Sequence, residues 1–223
     1  MKARIAELFD SMQGEGLYLG EKQIFVRFFG CNLSCSFCDT RLSHFKEYEP
    51  AELFDIIKSF GNKFHSVAFT GGEPLLQVEF LKEVLKLTHG ARYKNYLESN
   101  GTLFAELKEL IDLVDVVAMD FKLPSSTGMN SLWWMHKEFL KIACAKEVFV
   151  KAVICESTAD ADVAMSVNLI KAVNPSTVLI LQPNSSENSV SLWQKIERFK
   201  GICFNEGVTV CTIPQMHKIV GVK

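Results

Sequence analysis

Two hydrophobic periods alternate along the chain. Short runs of aliphatic, β-branched and aromatic residues predict strands near 4–9, 24–29, 66–70, 94–98, 115–119, 147–154, 178–182 and 207–211. Between them, apolar positions recur every three to four residues and predict helices near 50–60, 76–87, 103–111, 131–145, 159–173 and 188–199. Leu76, Phe80, Val84 and Leu87 share one helical face, with Glu79, Lys82 and Glu83 elsewhere. Pro50 suits a first helical turn, and Pro74 sits just before another helix. Residues 122–131, Lys-Leu-Pro-Ser-Ser-Thr-Gly-Met-Asn-Ser, are rich in turn formers and read as a loop. Strand–helix alternation predicts an α/β fold, a parallel sheet with right-handed crossovers, either a barrel or an open sheet. No repeat, low-complexity tract or long linker divides the chain, so residues 1–223 read as one domain.

One regularity favours the barrel. Polar or small residues follow the apolar part of four strands: Thr70-Gly71-Gly72-Glu73, Glu98-Ser99-Asn100-Gly101, Asp120-Phe121-Lys122 and Gln182-Pro183. In a parallel α/β sheet these ends share one edge, where such folds carry their sites.

Composition narrows the classes. Hydrophobic residues make up 48% and charged residues 22%, with a formal net charge of −2. That balance implies no general affinity for nucleic acid or an anionic membrane. No apolar run is long enough to span a membrane, and Met1–Glu7 lacks a signal peptide's apolar stretch, so a cytoplasmic protein is expected. Seven cysteines, three of them clustered, argue against a disulfide framework. Cys144, Cys155, Cys203 and Cys211 read as core thiols.

The clustered three, Cys31, Cys35 and Cys38, are spaced CxxxCxxC within eight residues. Thiolates on one tight loop can converge on one soft metal centre. Three is one short of a closed four-cysteine iron–sulfur site, which leaves one iron open. A structural zinc site would need a fourth Cys or His, and inert buried thiols are the remaining reading.

CxxxCxxC with Phe37 before the last cysteine resembles the radical S-adenosylmethionine superfamily. The resemblance implies a 4Fe-4S cluster on Cys31, Cys35 and Cys38, with the amino and carboxylate groups of S-adenosylmethionine on the open iron. Reductive cleavage would then give a 5′-deoxyadenosyl radical, and the fold would be a shortened, incomplete (β/α) barrel. Thr70-Gly71-Gly72-Glu73-Pro74 resembles the superfamily's GGE motif, which binds the methionine amino group. Its glycines permit close backbone approach, and Glu73 can accept from an ammonium. Glu98-Ser99-Asn100-Gly101-Thr102 resembles a later strand end that faces the same cofactor.

Flanking residues narrow the resemblance to the 7-carboxy-7-deazaguanine synthase family. They are Ser11-Met12-Gln13-Gly14-Glu15-Gly16, then Phe25 to Leu33, then Cys38-Asp39-Thr40. Read by composition, 11–16 is equally a hairpin connection. On an extended strand Phe25, Arg27 and Phe29 share one face, and an Arg there needs an anionic partner. That partner is either an internal Asp39 or Glu15, or a substrate carboxylate, which suits guanidinium geometry. The resemblance implies Met12, Gln13, Gly14, Glu15, Arg27 and Thr70 as pterin-binding residues. It implies Phe37, Asp39, Gly72, Glu73, Ser99, Asp120, Phe121, Lys122 and Gln182 as cofactor-binding residues. Thr40 would give its hydroxyl to a Mg2+ ion. Asp120 to Gly128 departs from the family pattern Lys-x-Pro-Ser-Ser-Gly, because Thr127 intervenes before Gly128 and Asp-Phe replaces a frequent Ser-Pro. Pro214-Gln215-Met216-His217-Lys218 resembles a terminus that closes over substrate.

The implied reaction is a lyase reaction of queuosine biosynthesis. It is a radical ring contraction of 6-carboxy-5,6,7,8-tetrahydropterin to 7-carboxy-7-deazaguanine with release of ammonia. A homodimer and a flavodoxin- or ferredoxin-type reductant come with it. Two competing readings are a glycyl-radical activase of the same superfamily and a non-enzymatic metal-binding module.

Overall fold

The computed structural model describes residues 1–40, 42–187 and 189–221, without the side chain of His217. Nine strands form one sheet: β1 (Ala3–Met12), β2 (Lys22–Phe28), β3 (Lys46–Tyr48), β4 (Ser66–Gly71), β5 (Asn95–Ser99), β6 (Val116–Phe121), β7 (Glu147–Ile154), β8 (Leu179–Pro183) and β9 (Val210–Thr212). Their order is β3-β1-β2-β4-β5-β6-β7-β8-β9, with β3 and β9 as open edges. From β2 to β9 every neighbour is parallel, whereas β1 runs antiparallel to both β2 and β3. The incomplete barrel expected from the sequence is therefore present, with an antiparallel start that strand–helix alternation does not encode. Residues 13–21 connect β1 and β2 as the hairpin reading requires, and the connection also delivers Gln13 to Glu15 to the sheet's polar edge.

Seven of the helices are α1 (Pro50–Ser59), α2 (Val78–Gly90), α3 (Phe104–Leu110), α4 (Pro124–Thr127), α5 (Trp133–Ala143), α6 (Asp160–Val173) and α7 (Val190–Asn205), and the last is α8 (Met216–Val220). Pro74–Gln77 forms a 3-10 turn before α2. That turn rotates Leu76 out of phase, so Leu76 is exposed while Phe80, Leu81, Val84 and Leu85 face the core. The stretch 122–131 is not all loop, because Pro124 starts a helical turn closed by Gly128 at φ 71°. β3 escapes sequence reading because Lys46-Glu47-Tyr48 is short and charged. The last strand begins later than expected, after Gly207 at φ 74° has ended α7.

Two cores follow from strand alternation. One lies between sheet and helices and contains Phe28, Phe69, Phe80, Leu97, Phe121 and Phe139. The other fills the concave face with Phe25, Ala68, Tyr96, Val116, Ala118, Phe149 and Ile180. The 13–21 connection seals the base of that second core. Tyr18 packs edge-on against Tyr96, and a Cβ at Gly16 would lie 2.8 Å from the Phe149 ring. Above this plug the concave face is polar.

Candidate active site

The polar strand ends converge on one cavity of about 450 Å³, which Cys31, Cys35 and Cys38 also line. The cysteines sit on the irregular segment after β2, which is held from two sides. Ser36 N donates to Thr127 O and Ser36 Oγ to Ser126 O, both at 3.0 Å. Asn32 Nδ2 donates to Thr102 Oγ1 at 2.9 Å, and Asn100 Nδ2 donates to Asn32 Oδ1 at 2.8 Å. Burial pushes the thiols of Cys31 and Cys35 up, so they are protonated until a metal displaces the proton. Among the described residues no three His, Cys, Asp or Glu side chains close on a single metal ion. Three cysteines around one cavity, with neither a fourth cysteine nor a histidine among its lining residues, fit a cluster core with an open iron. They leave a structural zinc site incomplete.

The glycine turn explains itself by contact. Gly72 N donates to Phe28 O at 3.1 Å, and Glu73 N donates to Gly30 O at 2.8 Å. A Cβ on Gly72 would lie 2.0 Å from Gly30 O, and one on Gly71, at φ 133°, would lie 2.2 Å from Phe28 O. Only glycine lets this turn press against the strand that leads into the cysteines.

Glu73 itself does not face the cavity. Its carboxylate is fully buried and accepts from Asn100 N at 2.7 Å, Ser99 Oγ at 3.0 Å and Leu75 N at 3.2 Å. Burial outweighs these donors and raises its pKa to about 7. Its side chain ties the ends of β4 and β5 together. Phe121 likewise turns from the cavity. It alternates with Asp120 on β6, so its ring turns to the helix side and stacks on His136 at 5.1 Å.

The remaining predicted residues line the cavity: Met12, Gln13, Gly14, Glu15, Arg27, Phe37, Asp39, Thr40, Thr70, Gly72, Ser99, Asp120, Lys122 and Gln182. Lys122 Nζ donates to Asp120 Oδ2 at 3.0 Å and stands 5.7 Å from the Phe37 ring centroid. Burial lowers the Lys122 pKa, but the Asp120 carboxylate more than offsets it, so the ammonium persists. Gln182 Oε1 is buried with no hydrogen-bond partner among the described residues, an acceptor left for a bound molecule. Gln13 Nε2 donates to Glu98 Oε1 at 3.0 Å and to Gln23 Oε1 at 2.9 Å, while Thr70 Oγ1 donates to Glu98 Oε2 at 2.8 Å. Thr40 Oγ1 donates to Asp39 Oδ1 at 3.3 Å.

Arg27 pairs with neither internal partner expected for it. Its Nε donates to Glu7 Oε2 at 2.9 Å. The C-terminal segment does lie over the site. Met216 N donates to Gly14 O, Gln215 Nε2 donates to Glu15 Oε1 and Asp39 Oδ2, and Lys218 Nζ is bonded to Asp39. Burial raises the Asp39 pKa, but Lys218 and Gln215 bring it below the ordinary range. The expectation for the His217 side chain falls outside the described residues.

Glu7 and Lys151 were missed from the sequence. Lys151 left a signal, a cation within the apolar run Val148 to Val153. Glu7 left none, because its role depends on register.

The Radical SAM superfamily model matches residues 25–154. The chain is 32% identical to the 7-carboxy-7-deazaguanine synthase of Geobacter sulfurreducens, over 98% of this chain and 97% of that one. It is 34% identical to the synthase of Archaeoglobus fulgidus, over the whole of both chains (100% and 100%). Among solved structures it resembles QueE from Escherichia coli with a TM-score of 0.66 at 20% identity, covering 95% of this chain and 94% of that one. TYW1 with a lysine-pyruvate adduct bound follows with a TM-score of 0.57 at 18% identity, over 82% and 73%. The two structural likenesses concern the fold.

Proposed function

This chain belongs to the radical S-adenosylmethionine superfamily, and we propose that within it the protein is a 7-carboxy-7-deazaguanine synthase. It is a lyase that contracts 6-carboxy-5,6,7,8-tetrahydropterin to 7-carboxy-7-deazaguanine with loss of ammonia, in the biosynthesis of 7-deazapurines such as queuosine. The observation that carries this reading is convergence: Gln13, Glu15 and Arg27 line the same cavity as the three cysteines.

Cys31, Cys35 and Cys38 hold the 4Fe-4S cluster. Phe37, Asp39, Gly72, Ser99, Asp120, Lys122 and Gln182 surround S-adenosylmethionine. Cluster and cofactor, when bound, supply a carbon radical able to take hydrogen from a substrate carbon. The protein's own residues position and enclose the substrate. Arg27 offers a guanidinium to the pterin carboxylate, and Met12, Gln13, Gly14, Glu15 and Thr70 address the ring. Gln215 and Lys218 close the mouth and exclude water. Thr40 would hold a Mg2+ ion through its hydroxyl, and the ion would supply positive charge for orienting substrate oxygens. The chain acts as one domain, in a cytoplasmic homodimer reduced by a flavodoxin or ferredoxin. Among the described residues no helix is long and apolar enough to cross a membrane.

Anaerobic reconstitution with iron and sulfide, followed by dithionite, S-adenosylmethionine, Mg2+ and the carboxy-tetrahydropterin, tests this directly. Formation of the deazaguanine acid is expected. Cofactor cleavage to deoxyadenosine without that product would remove the substrate assignment and leave the superfamily chemistry standing.

A further inference from the structure

The roles assigned above leave Lys151 without a task. It projects from β7 into the cavity, and its side chain is only 4% exposed. Its Nζ lies 2.9 Å from Glu15 Oε2 and 3.6 Å from Asp120 Oδ1. On the assignments proposed above, these carboxylates serve different ligands. Glu15 stands in the connection assigned to the pterin, where Oε1 accepts from Gln215 Nε2 at 2.9 Å. Asp120 stands on the strand end assigned to S-adenosylmethionine, where Oδ2 accepts from Lys122 Nζ at 3.0 Å. Losing either carboxylate weakens the compensation of an ammonium held away from water. Burial pulls its pKa down, but Asp120 and Glu15 hold it well above the ordinary lysine range, so it stays a cation and donates no proton.

We infer that Lys151 is a positioning residue that couples the two ligands of this site, its shared ion pair passing occupancy of the Asp120 half to the Glu15 half. The inference rests on the pterin reading above. A molecule packed on Asp120 and Lys122 expels water and strengthens the ion pairs that remain. Lys151 is then fixed, and Glu15 with it, so less ordering is left for the second ligand to impose. By linkage the effect is mutual.

The test uses cluster-loaded, unreduced enzyme, in which both ligands bind without turnover. The carboxy-tetrahydropterin is titrated with and without S-adenosylmethionine, and the reverse. In the wild type each ligand is expected to tighten the other by about 5-fold or more. Lys151→Met should bring that ratio to about one, and Lys151→Arg should retain it, because a guanidinium keeps the charge and reaches two carboxylates. A purely structural lysine would lower the melting temperature and cluster content of Lys151→Met yet leave the ratio intact in the folded fraction. Should Lys151→Met fail to hold its cluster, Glu15→Gln cuts one arm of the ion pair, and the ratio must fall there too. A wild-type ratio of one, or a wild-type ratio preserved in Lys151→Met or Glu15→Gln, overturns the coupling. Wild-type enzyme that binds no pterin at all would sink the function itself. Pterin binding that ignores S-adenosylmethionine sinks only the coupling.

Discussion

Arg27 and Glu7 stand directly opposite each other in the antiparallel β1–β2 pair, joined by a 2.9 Å hydrogen bond from Nε to Oε2. Both side chains are open to the cavity, 24% and 32% exposed, so the pair adds at most about 1 kcal/mol of stability. Its value is orientation. Glu7 takes Nε, and the ring of Phe9 lies 6.0 Å from the guanidinium carbon, which fixes the plane offered to the cavity. Arg27→Ala is expected to weaken pterin binding roughly 10- to 100-fold, the worth of hydrogen bonds to a charged group. Cluster content and deoxyadenosine formation without pterin should be unchanged. Equal losses in pterin binding and cofactor cleavage would contradict the assigned role.

Gly72 makes a sharper demand. A Cβ there meets Gly30 O at 2.0 Å and the Cβ of Cys31 at 3.0 Å, and neither is the far end of a flexible side chain. Gly72→Ala should therefore displace the turn or the strand leading to Cys31. The expected cost is about 1–3 kcal/mol in unfolding free energy, accompanied by reduced iron per chain after reconstitution. Gly90, where an added Cβ would meet nothing within 4 Å, is the control, and its substitution by Ala should keep the full iron content.

Much of this was legible in the sequence. Alternating periods gave the parallel run from β2 to β9, and polar strand ends gave the edge where the cavity lies. What escaped depends on long-range geometry. Glu73 follows two glycines, and the tight turn aims its carboxylate at the backbone of Asn100, a partner 27 residues away. Phe121 sits next to Asp120 in sequence, but strand alternation sends it to the opposite face. Glu7 meets Arg27 through a register that includes an irregularity between Ile5 and Glu7. Nothing in local pattern encodes that offset.

Thr127, the residue that lengthens the loop relative to its family pattern, has a structural place. Its carbonyl accepts from Ser36 N inside the cysteine loop, and its Oγ1 donates to Leu123 O at 2.9 Å. The two bonds can be separated. Thr127→Ala keeps the carbonyl, so it should lower the melting temperature while leaving cluster retention intact. Deleting Thr127 shifts Gly128 and removes the acceptor for Ser36. Cluster loss under an iron chelator should then quicken about 2- to 10-fold, the worth of one net hydrogen bond. Chelation followed by the decay of the cluster's visible absorbance reads this out, and wild-type decay in the deletion variant would refute it.

His136 predicts the acid behaviour of the fold. Its Nε2 lies 3.2 Å from Asn100 O, while buried Nδ1 has no partner among the described residues. A proton on Nδ1 would be a buried donor without an acceptor, and burial brings the pKa from 6.5 to about 3. Between those values the unfolded chain binds a proton that the folded chain refuses. The contribution of His136 is therefore fully present above about pH 6.5 and is lost as pH falls toward 3, with a slope of up to about 1.4 kcal/mol per pH unit. Glu73 runs the opposite way. Its raised pKa gives stability below 4.5 that disappears as pH rises through about 7. Urea unfolding of wild type and His136→Gln across pH 4 to 6.5 separates the two, because the substitution leaves Glu73 in place. The variant should be less stable at neutral pH and lose less on acidification, the difference in slope approaching one proton. Parallel curves would show that His136 takes up its proton within the fold, which its position between Phe121, Trp133 and Asn100 forbids.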